Sequence, residues 1–127
     1  MSLEPEAMAA EQFCYLTTTG RTSGLPRTIE IWFALAGRTL YMLAGGGPQS
    51  GWVKNLLREP EVRVRLAGSD FWGRARIVQE AAEDRVARRL VFEKYQPIYG
   101  GDLTGWSWRS LPVAVDLPPG RPSEEEG

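Results

Sequence analysis

The chain has 127 residues, 43% of them apolar and 24% charged, with a formal net charge of −1. That length gives one domain able to bury a core of its own, and no apolar run nears the ~20 residues that cross a bilayer. With no histidine, Ser-His-Asp and Cys-His triads and imidazole metal ligation are excluded; with one cysteine, Cys14, so are an intrachain disulfide and a multi-cysteine metal site.

Residues 1–11 carry Glu4, Glu6 and Glu11, show no signal-peptide apolar segment, and read as a flexible or helical lead. Residues 118–127, rich in Pro and Glu, read as a disordered acidic tail. Between them, residues 12–117 form the folded domain and hold a formal charge of +4. Such a body suits an anionic ligand, but it lacks the strong basicity, pI above ~9, of a nucleic-acid-binding domain. No nucleic-acid partner is expected.

In chain order, Phe13–Thr19 (FCYLTTT) predicts a strand ending at Gly20, with Cys14 as a small buried hydrophobe. Gly20–Arg27 (GRTSGLPR) is turn chemistry. Over 28–35, Ile29, Ile31, Phe33 and Leu35 alternate with Thr28, Glu30 and Trp32, which predicts one strand. After a Gly37-Arg38 turn, Thr39–Ala44 is the next, with Leu40 and Met42 opposite Tyr41 and Leu43. Gly45–Gly51 breaks the sheet pattern. Trp52, Val53, Leu56 and Leu57 then form an amphipathic helical stripe, with Ser50 as N-cap and Glu59-Pro60 as the stop. Val62, Val64 and Leu66 alternate with Arg63 and Arg65, and Phe71, Ala75 and Ile77 with Trp72, Arg74 and Arg76, giving a hairpin with one wet face. Residues 82–95 predict a helix buried through Val86, Leu90 and Val91. Residues 96–110 read as an aromatic, Gly-rich loop, and Val113, Val115 and Leu117 mark a last strand. Six short antiparallel strands with two to three short helices define a mainly β (α+β) chain, best closed as a small barrel that leaves no exposed edges.

Two stretches have the chemistry to hold an anion. Thr17–Arg27 combines hydroxyls, glycines and arginine forks on a strand-turn-strand, which could equally be a hairpin loop with solvated arginines. Gly45–Trp52 is a glycine-rich approach to a helix N-terminus, where bare peptide N–H groups and the positive dipole end face a ligand, or else a simple connector. Trp52 is placed to flank a planar ring or to anchor the core, and Asn55 to meet a ligand's polar edge or to have a solvated or capping role. Tyr95, Tyr99, Trp106 and Trp108 either roof a pocket for a flat substrate or close a barrel end. In a chain without histidine, tyrosine is a candidate proton donor. The arginines at 63, 65, 74 and 76 read as a solvated sheet face, a dimer face or a seat for an acidic cofactor tail.

The succession YLTTTGRTSGLPRTIEIWF, LYMLAGGG, a helix reading W-V-K-N-L, and EPEVRVRL resembles the deazaflavin-dependent nitroreductase family, over about residues 13–78. These are split β-barrel proteins related to the pyridoxamine 5'-phosphate oxidase-like flavin binders. The resemblance implies a six-stranded split β-barrel, a homodimer, a cytoplasmic setting and coenzyme F420 as cofactor. It also implies hydride transfer from the reduced deazaflavin to a planar quinone, nitroaromatic or activated alkene. Carried onto this chain, it assigns the cofactor's phosphate side to Thr18, Thr19, Arg21, Ser23 and Arg27. Backbone approach falls to Gly45, Gly46 and Gly47, and flanking contact to Trp52 and Asn55. The substrate side falls to Tyr95, Tyr99 and Trp106, with a tyrosine or water supplying the proton. At Thr22 the chain departs from the many relatives that place a lysine after the Gly-Arg pair. That departure leaves FMN as the alternative cofactor and a non-catalytic flavin or deazaflavin carrier as the alternative function.

Overall fold

The alternating segments form seven strands, not six. The computed structural model describes residues 5–118, so residues 1–4 and nearly all of the expected tail, 119–127, lie outside the described residues. In order come α1 (Pro5–Ala10), β1 (Cys14–Thr19), β2 (Pro26–Ile31), β3 (Ala34–Ala36) and β4 (Thr39–Ala44), then a 3₁₀ turn (Gly47–Gln49) and α2 (Gly51–Arg58). β5 (Glu61–Leu66), β6 (Ser69–Ile77), α3 (Ala81–Tyr95), α4 (Thr104–Arg109) and β7 (Leu111–Asp116) complete the chain. Neighbouring strands all pair antiparallel, in the order β2-β1-β5-β6-β7-β4-β3.

The two outermost strands are consecutive in the chain, with only Trp32 and Phe33 between them. The sheet therefore curls until its edges meet, giving the split barrel. This passage also explains the extra strand: the single segment expected over 28–35 is cut where it crosses from one edge to the other. At the cut, the Phe33 N–H donates to the Tyr95 hydroxyl at 3.0 Å, and the Phe33 carbonyl accepts from Lys94 Nζ at 3.0 Å. Side chains from α3 thus satisfy backbone groups that a continuous strand would have paired in a ladder. The side-chain alternation survives the break. Ile29, Ile31, Phe33 and Leu35 all pack into the barrel interior with Leu16, Leu40, Met42, Val62, Val64, Val113 and Val115. On the opposite face of β4 and β7, Tyr41, Leu43 and Ala114 pack against Ala87, Val91 and Tyr95 of α3.

The helices differ in detail from their sequence patterns. In α2, Val53 and Leu56 are buried, but Leu57 is 57% exposed, so the buried stripe is one residue narrower than expected. Ser50 stands at the N-cap position without a capping side-chain bond. A Cβ on Gly46 would lie 2.6 Å from its Oγ, so the hydroxyl packs into the preceding loop. α3 buries Ala87, Val91 and Tyr95, with Val86 and Leu90 only half-buried. The expected aromatic loop contains α4, whose C-terminal carbonyls are gathered by one guanidinium. Arg88 Nη1 donates to the carbonyls of Ser107, Trp108 and Ser110 at 2.6–2.9 Å.

Gly73, on β6, has no room for a side chain. A Cβ there would sit 2.7 Å from Val115 Cγ1 and 2.9 Å from the Asp116 carbonyl. Gly73→Ala is expected to cost ~1–3 kcal/mol by overpacking the β6–β7 seam, read as a lower denaturation midpoint; an unchanged midpoint contradicts this packing.

α3 is fastened to the sheet by ion pairs. Arg76 reaches Glu83 with both terminal nitrogens at 2.8 Å and Asp116 at 2.7 and 3.1 Å, while the Tyr41 hydroxyl donates to Glu83 at 2.8 Å. The Arg76 hydrogen bonds are the main reason the Glu83 carboxyl is lowered from 4.5 to about 2, and they lower Asp116 as well. A carboxyl with a depressed folded-state pKa stabilises fully above its unfolded value and loses that contribution as pH falls. Stability is therefore expected to decline between about pH 4.5 and 2. Glu83→Gln is expected to flatten that acid limb in urea titrations; an unaltered slope would show that the pair does not drive it.

Candidate functional site

The turn between β1 and β2 meets the start of α2. Its own backbone bonds keep it tight: Gly20 N–H donates to the Leu25 carbonyl and Gly24 N–H to that of Gly20, both at 2.8 Å. Ser23 Oγ accepts from the Leu25 N–H at 3.1 Å. From this turn Arg21 crosses to α2, where Nη1 donates to Asn55 Oδ1 at 2.8 Å and the Gly51 carbonyl at 3.3 Å. The Arg21 backbone N–H donates to the same Asn55 oxygen at 3.1 Å. Asn55 Nδ2 in turn donates to Thr18 Oγ1 at 3.1 Å. Asn55 is only 6% exposed, so it is an internal strut and not the solvated residue its place on the helix suggests.

Between turn and helix lies a cleft of about 600 Å³ lined by Thr18, Gly20–Ser23, Arg27, Ile29, Gly51, Trp52 and Asn55. Two arginines, three hydroxyl-bearing residues and the first two residues of α2 line it, and no carboxylate does. Ile29 and the half-buried Trp52 add an apolar wall. Such a cleft can hold a molecule that is anionic at one end and flat and apolar at the other.

The sequence-derived candidates divide among three places. Thr18, Arg21, Ser23, Arg27, Trp52 and Asn55 meet in the cleft. Thr19 lines an adjoining depression of about 280 Å³ with Arg58 and Glu59. Gly45, Gly46 and Gly47 do not line the cleft; Gly45 lies where a Cβ would approach Trp106 Nε1 to 3.0 Å. They connect the cleft to an aromatic cluster centred on Trp32. This ring stacks on Tyr95 at 4.3 Å and meets the edges of Tyr99 and Trp106 at 5.7 Å.

Within that cluster the structure removes Tyr95 from the candidate proton donors. Its ring is fully buried, and its hydroxyl accepts from Phe33 N–H while its proton lies within reach of the Gln12 and Phe33 carbonyls at 2.7 and 3.1 Å. Burial pushes its pKa up to about 12. Tyr95 is a fastener of the barrel's closing passage. Tyr99, 48% exposed, and half-buried Trp106 remain accessible. Trp32 was not singled out from sequence, because its aromatic partners lie more than 60 positions downstream.

Elsewhere Arg65 pairs with Asp70 and Arg76 with Glu83 and Asp116, while Arg63 lies over the Trp72 ring at 5.9 Å. The arginine face is thus largely tied within the protein. Cys14 is fully buried and its thiol is pushed up to about 12 by burial. A second cavity, about 640 Å³, lies between α3 and α4, lined by Val86, Phe92, Trp108 and three arginines.

The fold places the chain among the split-barrel proteins. Solved structures of that architecture superpose over most of its length. An F420H2-dependent reductase is 23% identical at TM-score 0.68, covering 85% of this chain and 95% of its own. A protein assigned as a pyridoxamine 5'-phosphate oxidase from Listeria innocua is 17% identical at TM-score 0.67, covering 92% of each. A chain that forms a domain-swapped dimer is 22% identical at TM-score 0.68, covering 83% and 80%. A model of the F420H(2)-dependent quinone reductase family matches residues 5–118, and the chain belongs to that family. It is an oxidoreductase whose cofactor is coenzyme F420. Among the described residues no helix is long and apolar enough to cross a membrane.

Proposed function

We propose that this chain takes hydride from reduced F420 to a flat electrophile (a quinone, a nitroaromatic or an activated alkene), with the cofactor seated in the cleft between the β1–β2 turn and α2. The observation that carries this reading is the convergence of Arg21, Arg27 and the start of α2 on one carboxylate-free cleft with an apolar wall. F420 fits that donor set, being anionic at its phosphate end and planar at its redox end. Arg21, Arg27, Thr18 and Ser23 hold the phosphate side, and two arginines in one cleft offset the cation missing at Thr22. Trp52 covers an apolar face, and Gly45–Gly47 leave backbone access toward the aromatic end.

When bound, the cofactor supplies the hydride; the protein supplies orientation, electrostatics and exclusion of water. Tyr99 and Trp106 border the substrate end, and Tyr99 or a water delivers the proton. Residues 12–117 act as the cofactor-binding domain of a cytoplasmic homodimer. Tyr15 and Trp72, 43% and 49% exposed on the outer sheet, support a buried partner face. The test is stopped-flow oxidation of F420H2 by a quinone and by a nitroaromatic, beside titrations with F420 and FMN. Saturable F420 binding with turnover supports the reading. Binding without turnover of any flat electrophile would leave a carrier, and tighter FMN than F420 binding would overturn the cofactor assignment.

A further inference from the structure

Asn55 turns both ends of its carboxamide to the protein. Its oxygen accepts from the Arg21 backbone at 3.1 Å and from Arg21 Nη1 at 2.8 Å, and its nitrogen donates to Thr18 Oγ1 at 3.1 Å. The consequences for the two partners differ. Both protons of Arg21 Nη1 have acceptors, Asn55 Oδ1 and the Gly51 carbonyl. Among the described residues, Nε and Nη2 have none, so the guanidinium is anchored by one corner and offers its other edge as a two-pronged donor. Thr18 accepts from Asn55, which commits an oxygen lone pair and leaves its hydroxyl proton to be donated elsewhere. Thr18 is 2% exposed and lines the floor of the cleft, with no acceptor for that proton among the described residues.

We propose that Asn55 is a positioning residue that sets the polarity of the cleft: it fixes Arg21 edge-on and forces Thr18 to act as a donor, so that both point hydrogens at one ligand phosphate. This rests on the cofactor reading above, and it reassigns Asn55 from a ligand contact to a residue acting through two others. Only a carboxamide does this. A carboxylate of the same shape would accept from Arg21 and also from Thr18, turning the threonine hydroxyl inward and neutralising the guanidinium. An apolar side chain would release both.

The test uses the full chain and coenzyme F420, titrated at several salt concentrations, with melting temperatures measured alongside. Asn55→Asp is expected to keep or raise the melting temperature while weakening F420 binding ~10-fold or more and flattening its salt dependence, because the cationic edge has found an internal partner. A merely structural asparagine would leave the salt dependence of the remaining binding unchanged. Thr18→Val, which leaves the Arg21–Asn55 bonds in place, is expected to weaken binding several-fold and serves as the deciding variant if Asn55→Asp fails to fold. F420 binding within twofold of the unaltered chain, with unaltered salt dependence, in either folded variant would overturn the proposal. Failure of the unaltered chain to bind F420 would instead overturn the cofactor reading on which it stands.

Discussion

Arg21→Ala is expected to weaken F420 binding by about 10- to 150-fold, the ~1.5–3 kcal/mol of a charge-assisted hydrogen bond, while barely changing stability. The separation of the two effects follows from the geometry. Asn55 Oδ1 accepts from the Arg21 backbone N–H as well as from the guanidinium, so removing the side chain does not strand the buried carboxamide. The Gly51 carbonyl loses a long 3.3 Å contact at an exposed helix start, where water replaces it. What disappears is the donor edge facing the cleft. Arg21→Lys keeps the charge but loses the two-pronged geometry, and is expected to fall between alanine and arginine. Calorimetric titration beside a thermal melt checks both halves; a variant that loses stability in proportion to binding would show that Arg21 is there for the fold.

Trp32→Ala is expected to have the opposite profile, a loss of ~3–5 kcal/mol typical of deleting a large aromatic from a packed site. Trp32 lies in the passage that joins the two edges of the sheet, stacked on Tyr95 and meeting the edges of Tyr99 and Trp106. Without it, α3 and the aromatic loop lose their common contact with that passage. Turnover is expected to fall with stability, since Tyr99 and Trp106 lose the ring that fixes them, whereas F420 affinity changes little because the cleft is built from other elements. Trp32→Phe is expected to recover most of the stability. A stable Trp32→Ala protein with normal turnover would contradict the role given to this cluster.

The strands were legible because their side chains alternate between two environments, the barrel interior on one face and either solvent or α3 on the other. Leu40 and Met42 against Tyr41 and Leu43, and Val62, Val64 and Leu66 against Arg63 and Arg65, fall on the faces that period-two alternation assigns them. The anion-competent turn was legible for a similar reason: hydroxyls, glycines and arginines within eleven residues need no distant partner to be recognised. What the sequence hid depends on contacts between remote segments. The break at Trp32–Phe33 is made by Tyr95 and Lys94 from α3, and no local residue announces it. Tyr95 resembled a proton donor because exposure cannot be read from residue type. Asn55 looked solvated because its partners, Thr18 and Arg21, stand 37 and 34 positions upstream. Gly45–Gly47 have the composition of a cofactor loop, yet Gly45 faces Trp106 and none of the three lines the cleft.

The central claim is a location, so the most direct measurement is a crystal structure of the chain with F420 bound. The account predicts the cofactor's phosphate within hydrogen-bond distance of Arg21 Nε or Nη2 and Thr18 Oγ1, with Trp52 against its apolar portion. Cofactor density in the cavity between α3 and α4, or anywhere that leaves Arg21 and Thr18 without contact to it, would contradict that claim.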